Sequence, residues 1–204
     1  MTKFNQSVFV NCPFDKSYDF IFNAIIFVIY DCGYIARCAK EEDDSGSVRA
    51  QKIYDLISEC RYGIHDISET KLCEKNSLPR FNMPYELGLF IGCKELGFKK
   101  SKTKRTLVFD VEKHRYQKFL SDFSGQDIKA HSNKPELAIK GLRDWFGTSP
   151  DGRIVPGPTK LVDRYNKFLA ILPKLADEFH IRPDEITYNN YCKIAVEWIR
   201  NNPF

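Results

Sequence analysis

The chain has 204 residues, a length that suits one well-buried α/β domain with a small appendage and leaves little for a second full domain. Its 31 basic and 27 acidic residues leave a formal charge of +4, too balanced for a nucleic-acid binder, and the dense basic run Lys99-Lys100-Ser101-Lys102-Thr103-Lys104-Arg105 reads as a solvated loop. Seven cysteines (Cys12, Cys32, Cys38, Cys60, Cys73, Cys93, Cys192) without metal-type pairing read as reduced, mostly buried thiols, and no apolar leader or long apolar run argues for a membrane partner, so a soluble cytoplasmic protein is expected.

Residues 7–11 form a short β-rich run, followed by the turn Cys12-Pro13-Phe14-Asp15 and a helical stretch over 17–31 that Gly33 ends. Residues 34–39 suit a second strand, 41–46 an exposed acidic loop, and 48–59 a helix with Val48, Ile53, Leu56 and Ile57 as its apolar stripe. A third strand over 62–67 carries Asp66 at its C-terminal end, and a polar loop over 68–80 leads into a helix around Glu86. Residues 105–110 form a fourth strand, 116–123 a helix, 126–130 a short edge strand and 135–146 a helix ending at Gly147. A turn-rich linker over 148–158 precedes two helices, 159–179 and 184–201, with Pro173 expected to kink or divide the first. Alternating strands and helices predict a flavodoxin-like parallel sheet flanked by helices, with an α/β domain over 1–147 and a C-terminal helical extension over 158–204.

The stretch Phe81-Asn82-Met83-Pro84-Tyr85-Glu86-Leu87-Gly88-Leu89-Phe90-Ile91-Gly92 holds the strongest functional signal. Pro84 suits a first helical turn, and Leu87, Phe90 and Ile91 share a face that should dock on the sheet. Gly88 and Gly92 are expected to allow close backbone approach there, which would set Glu86 where the helix top meets the strand ends, the usual ligand position in open α/β sheets. Glu86 also suits the positive end of a helix dipole, and the two accounts weigh about equally on this stretch taken by itself.

Three loops should converge at the strand ends: Asn11 to Asp15, Asp66 to Ser68, and Asn82 to Glu86. Asp66 and Glu86 then form the natural carboxylate pair for glycosidic cleavage. Taken singly, Asn11 and Asp15 suit a helix cap, Asp66 and Ser68 a turn, and His65 a hydrogen-bonded strand position. The cluster Glu41-Glu42-Asp43-Asp44 lacks calcium-loop spacing, so no metal is assigned. No Gly-x-Gly-x-x-Gly, Walker or Gly-x-Ser-x-Gly motif occurs.

The run Val8-Phe9-Val10-Asn11-Cys12-Pro13-Phe14 resembles the first strand and substrate loop of nucleoside 2-deoxyribosyltransferases. The segment from Tyr62 to Ser68 and Tyr85-Glu86-Leu87-Gly88 resemble that family's aspartate-bearing strand and nucleophilic Glu-Leu-Gly helix. The glutamate position and flavodoxin-like order are also similar to Toll/interleukin-1 receptor (TIR) domains, including bacterial ones that cleave NAD in antiphage defence. The resemblance spans residues 8–110. It implies a nucleotide N-glycosidase acting on NAD or a nucleoside monophosphate by hydrolysis, transfer or cyclisation, with NAD as substrate and no cofactor; the C-terminal helices are expected to serve as an oligomerisation or pocket-closing element, and a homo-oligomer is expected. Glu86 would be the nucleophile or ribose stabiliser, Asp66 would handle the ribose or a proton, and Asn11, Cys12, Pro13, Phe14, Asp15, Ser68 and Asn82 would line the substrate site. Arg80 stands where the transferases carry an aspartate, Met83-Pro84 replaces their Gly-Thr, and Cys12 replaces a loop glycine. These departures favour an anionic nucleotide with Arg80 near phosphate. The alternative is a catalytically inactive TIR-like module for nucleotide sensing or protein interaction.

Overall fold

The computed structural model describes residues 3–42, 44, 46, 48–70 and 80–204, so expectations touching Asp43, Ser45, Cys73 and most of the 68–80 loop fall outside the described residues. The strands are β1 (Ser7–Asn11), β2 (Ile35–Arg37), β3 (Tyr62–Asp66), β4 (Arg105–Asp110) and β5 (Lys129–Ala130). They form an all-parallel sheet in the order β2-β1-β3-β4-β5, a flavodoxin-like arrangement. Every residue of β1 and β3 is buried, because helices cover both faces, which explains why these strands read as near-continuous apolar runs. The helices are α1 (Asp19–Asp31), α2 (Arg49–Glu59), α3 (Asn82–Leu96), α4 (Pro135–Gly147), α5 (Pro158–Asp177) and α6 (Tyr188–Asn201).

One face of the sheet carries α1 and α4, and α5 and α6 pack over them. Helix α1 is apolar nearly all round, with Ile21, Ala24, Ile25, Ile26, Phe27, Val28 and Ile29 fully buried, because it lies between the sheet and the C-terminal helices. Phe27 of α1 stacks on Phe168 of α5 at 5.0 Å between ring centroids and meets Trp198 of α6 at 5.7 Å. The C-terminal helices thus share one core with the sheet.

A buried ion pair fixes their placement. Arg164 on α5 donates from Nε (2.9 Å) and Nη2 (2.7 Å) to the two carboxylate oxygens of Asp31 at the end of α1, and from Nη1 to the Asn202 carbonyl at 2.7 Å. The opposite face is covered more thinly by α2 and α3, through two small cores, one of Phe9, Ile53, Leu56, Ile57, Cys60 and Phe90 and one of Ile67, Met83, Leu87, Val108, Tyr116 and Ile128.

Several elements depart from expectation. Helix α5 runs undivided through Pro173, whose missing N–H cannot pair with the Leu169 carbonyl one turn back, on the exposed side of the helix. Residues expected as a helix over 116–123 form two 3₁₀ turns, Arg115–Lys118 and Ser121–Phe123, set by the left-handed backbone of His114 (φ 66°). The last helix begins at Tyr188 rather than near Asp184, because the Thr187 side chain accepts the Asn190 N–H as its cap and a 3₁₀ turn, Pro183–Glu185, precedes it. The 148–158 linker is pinned under the sheet: Tyr34 donates to Asp151 at 2.8 Å, and the Tyr62 hydroxyl lies 2.7 Å from that of Ser149.

Within the basic run, Lys104 is buried, donating from Nζ to the carbonyls of Ile57 (2.5 Å) and Cys60 and lying over the Phe90 ring. That side chain ties the end of α2 to β4 rather than meeting solvent. The glycines of α3 also differ from expectation: a Cβ added at Gly88 or Gly92 would meet nothing within 4 Å, so both face outward. The sheet instead meets Met83, Leu87 and Phe90. Six described cysteines are free thiols, and all but Cys93 are buried. Among the described residues no helix is long and apolar enough to cross a membrane.

Candidate active site at the carboxyl edge of the sheet

β1 and β3 run side by side with Asn11 opposite His65, so successive side chains at the top of these strands alternate between the two faces. Asn11 and His65 point to the α3 face. The Asn11 Nδ2 lies 3.0 Å from His65 Nδ1 and donates to the Met83 carbonyl at 2.9 Å, tying the first strand to the first turn of α3. His65 packs edge-on against Phe9 and Phe90 (ring centroids 5.7 and 5.1 Å), in space that a Cβ on Gly63 would fill. Burial pushes the His65 pKa down to about 3, with the nearby Lys104 cation adding to the effect, so the ring is neutral at physiological pH.

One turn beyond Met83 stands Glu86. It is half-buried and makes no hydrogen bond or ion pair among the described residues. Burial raises its pKa to about 7, against the opposing pull of Arg49 at the start of α2. A carboxyl group poised near neutrality at a strand-end edge suits either proton exchange or stabilisation of a developing cation. The adjacent Tyr85 hydroxyl lies 3.2 Å from that of Tyr54 on α2, linking the two helices beside it.

Asp66 points to the other face. Its Oδ2 accepts from the Tyr18 hydroxyl at 2.5 Å, and its Oδ1 accepts from the Ser68 N–H at 2.8 Å. His131, just after β5, places Nε2 3.0 Å from Asp66 Oδ2, at an angle too oblique for a hydrogen bond. Its Nδ1 accepts the Asn133 N–H, which leaves the ring proton on Nε2, toward the carboxylate. Asp66, Tyr18 and His131 are all buried, and Cys12 joins them, its thiol pKa pushed well up by burial and then by the Asp66 charge. Among the described residues no hydrogen bond or ion pair joins Asp66 to Glu86, and the two side chains serve opposite faces of the sheet edge. The carboxylate pair expected from the strand ends is therefore not assembled as a contact.

The remaining expected residues divide similarly. Asp15 and Arg80 form an ion pair that links the loop after β1 to the start of α3, so Arg80 is engaged by a carboxylate. Pro13 is buried, and Phe14 lies edge-on to Phe22 of α1 on the Asp66 face. Asn82 is exposed at the first position of α3, and the Ser68 hydroxyl is buried without a partner among the described residues.

Four residues outside the expected set complete the edge. Asp110 ends β4 as Asp66 ends β3. Arg115 donates from Nε to Asp110 Oδ1 (2.7 Å), from Nη1 to Thr70 Oγ1 (3.0 Å) and from Nη2 to the carbonyls of Ile67 and Ser68 (both 2.9 Å), so one guanidinium clamps the loop after β3. Burial raises the Asp110 pKa despite this partner. Tyr18 and His131 are the other two. The signal that marks them in the sequence is position: each stands in the segment just after a strand or closes the strand itself. Among the described residues no three of His, Cys, Asp or Glu are grouped closely enough to hold a metal ion. No protein-family model and no curated protein matches this chain.

Proposed function

We propose that the chain is a nucleotide N-glycosidase that cleaves the base–ribose bond of NAD or a nucleoside monophosphate. The observation that supports this most is Glu86: a half-buried carboxyl without a hydrogen-bonding partner among the described residues, raised to about 7, one turn from the Asn11 tether at the strand ends. When ionised, it faces the anomeric carbon as the glycosidic bond breaks and stabilises or captures the sugar cation. Asn11 holds the helix that presents it, and neutral His65 supports Asn11 from beneath.

Asp66 takes a positioning role in this reading, since both of its oxygens are already engaged and it holds Tyr18 and the Ser68 backbone in place. Arg80, at the rim with Asp15, lies within the same loop set and supplies a cation for a substrate phosphate. NAD or the nucleotide is substrate, and no cofactor takes part. The protein works in the cytoplasm as a homo-oligomer, and the outward face of α3 supports that part of the reading: Phe81, Tyr85 and Leu96 are each more than half exposed around Gly88 and Gly92. The same face favours a second reading, a catalytically inactive module that senses a nucleotide or binds a protein partner.

The test is incubation of the purified full-length chain with NAD, NADP and nucleoside monophosphates, followed by chromatography for nicotinamide or free base. Released base with a matching sugar product supports the enzyme. Saturable binding of these nucleotides with no product over many hours would favour the inactive module.

A further inference from the structure

A second cavity, of about 330 Å³, lies between the start of α1, the loop after β2 and the C-terminal helices. It opens on the face opposite α3, away from Glu86. Its walls combine two cations, Lys16 and Lys40, with the aromatic rings of Phe22 and Tyr188 and the carboxylate of Asp19. The volume falls at the lower end of the range for small-molecule sites.

The cations are the informative feature. Among the described residues neither lysine ammonium has a hydrogen bond or ion pair; Lys40 Nζ rests instead over the rings of Phe14 and Phe22, at 4.7 and 5.0 Å. A half-buried ammonium held by ring faces retains donors for an anion. The other rim carboxylate, Asp184, is already within 3.5 Å of Arg182 on its outer side, so the lysines are not neutralised by it. The aromatic walls are fixed in advance: the Tyr191 hydroxyl donates to the Asn23 carbonyl at 2.8 Å, and that of Tyr188 to the Ala36 carbonyl at 3.4 Å. Phe22 and Tyr188 pack on each other at 5.9 Å between ring centroids and 43°, and because Phe22 is only 3 % exposed, the half-buried Tyr188 is the ring that faces the cavity.

We propose that this cavity is a second, non-catalytic site for a nucleoside monophosphate, with the phosphate on Lys16 and Lys40, the ribose hydroxyls on Asp19 and the base against Tyr188. The site joins three parts of the chain that otherwise serve different ends. Lys40 follows β2, Lys16 follows the Pro13-Phe14 loop, and Tyr188 begins α6. Occupation draws Lys40 from the Phe14 ring toward phosphate, so the ligand acts on the loop after β1 from the side opposite Glu86. The chemistry is carried by residues that the proposed reaction does not use.

The experiment is titration calorimetry with adenosine 5′-monophosphate on the full-length Glu86→Gln chain, which binds without turning the probe over. Binding at the sheet-edge site survives in this variant, so a monophosphate that is also a substrate gives two binding events, and the lysine substitutions should remove only the one that belongs to this cavity. Saturable binding is expected, with affinity at least about tenfold weaker in a Lys16→Gln/Lys40→Gln variant and a smaller loss in Lys16→Gln, an exposed position where substitution should leave the fold intact. Adenosine and inorganic phosphate should each bind more weakly than the monophosphate, since each occupies half the site. Unchanged affinity in the double variant would place the nucleotide elsewhere and overturn the proposal, as would absence of saturation below about 1 mM or inorganic phosphate binding as tightly as the monophosphate.

Discussion

The two faces of the sheet solve the burial problem differently. On one side α1 and α4 lie against the strands and α5 and α6 close over them, giving a continuous core with stacked aromatics and a bidentate buried ion pair. On the other side α2 and α3 cover two smaller clusters, one around Phe9 and Phe90 and one around Ile67, Met83, Leu87 and Val108, and the outer surface of α3 keeps Phe81, Tyr85 and Leu96 exposed. The thick face fixes the frame, whereas the thin face holds a neutral buried histidine and a carboxyl of raised pKa close to solvent. The larger core and the carboxyl of the proposed reaction thus lie on opposite sides, as expected when a reactive group needs both partial burial and access.

Removing the pin of the thick face should break this contrast most severely. Arg164→Ala leaves Asp31 buried without its partner and frees the Asn202 carbonyl, and a loss on the order of 3–5 kcal/mol is expected in urea unfolding. A loss below about 1 kcal/mol would show that the C-terminal helices contribute little to the frame.

The thin face should show itself in acid. His65 has a folded-state pKa of about 3 against 6.5 for the ordinary side chain, so between these values the unfolded chain binds the extra proton. Its contribution is present above pH 6.5 and is lost as pH falls, with a slope of up to about 1.4 kcal/mol per pH unit. Glu86 works in the opposite sense from 4.5 to about 7, because its folded form keeps the proton longer. Unfolding measured in the Glu86→Gln chain removes that opposition and should steepen the acid limb relative to the wild type. An unchanged limb would mean that Glu86 titrates in the folded chain as it does in the unfolded one.

The smallest effect is expected at the outer face of α3. Tyr85→Lys or Leu96→Lys should change stability by less than about 0.5 kcal/mol, since these side chains are largely exposed. The same changes should lower self-association in sedimentation, because a new charge on an apolar contact surface opposes assembly. Association that survives both substitutions would move any contact between copies to another face.

Much of this contrast was legible in the sequence, for physical reasons. Val8-Phe9-Val10 and the α1 run are apolar because they are covered on both sides, and such runs survive without knowledge of tertiary partners. Leu161, Tyr165 and Phe168 repeat at helical spacing, and that stripe is buried in the core. Face assignment was less legible. Asp66 and His65 are neighbours in sequence, yet strand alternation sends one to Tyr18 and the other to Phe90. Gly88 and Gly92 fit either an inward or an outward helix face by composition, and the larger Met83, Leu87 and Phe90 side chains settle which side meets the sheet. Lys104 was hidden in a basic run because nothing local distinguishes a buried ammonium from its solvated neighbours. Arg115 reaches the edge from a segment whose backbone turns at His114, a geometry that hydrophobic periodicity does not register.

The central claim concerns the charge on Glu86, and base release by the Glu86→Gln chain tests it most directly. At pH 8 the wild-type carboxyl, with its pKa near 7, is ionised, while glutamine keeps its shape and hydrogen-bonding capacity without the charge. With a substrate identified by the nucleotide screen, turnover should fall on the order of a hundredfold or more while nucleotide affinity changes little. A folded Glu86→Gln protein that releases base at near the wild-type rate would contradict the account and leave the helix dipole as the better reason for a glutamate at that position.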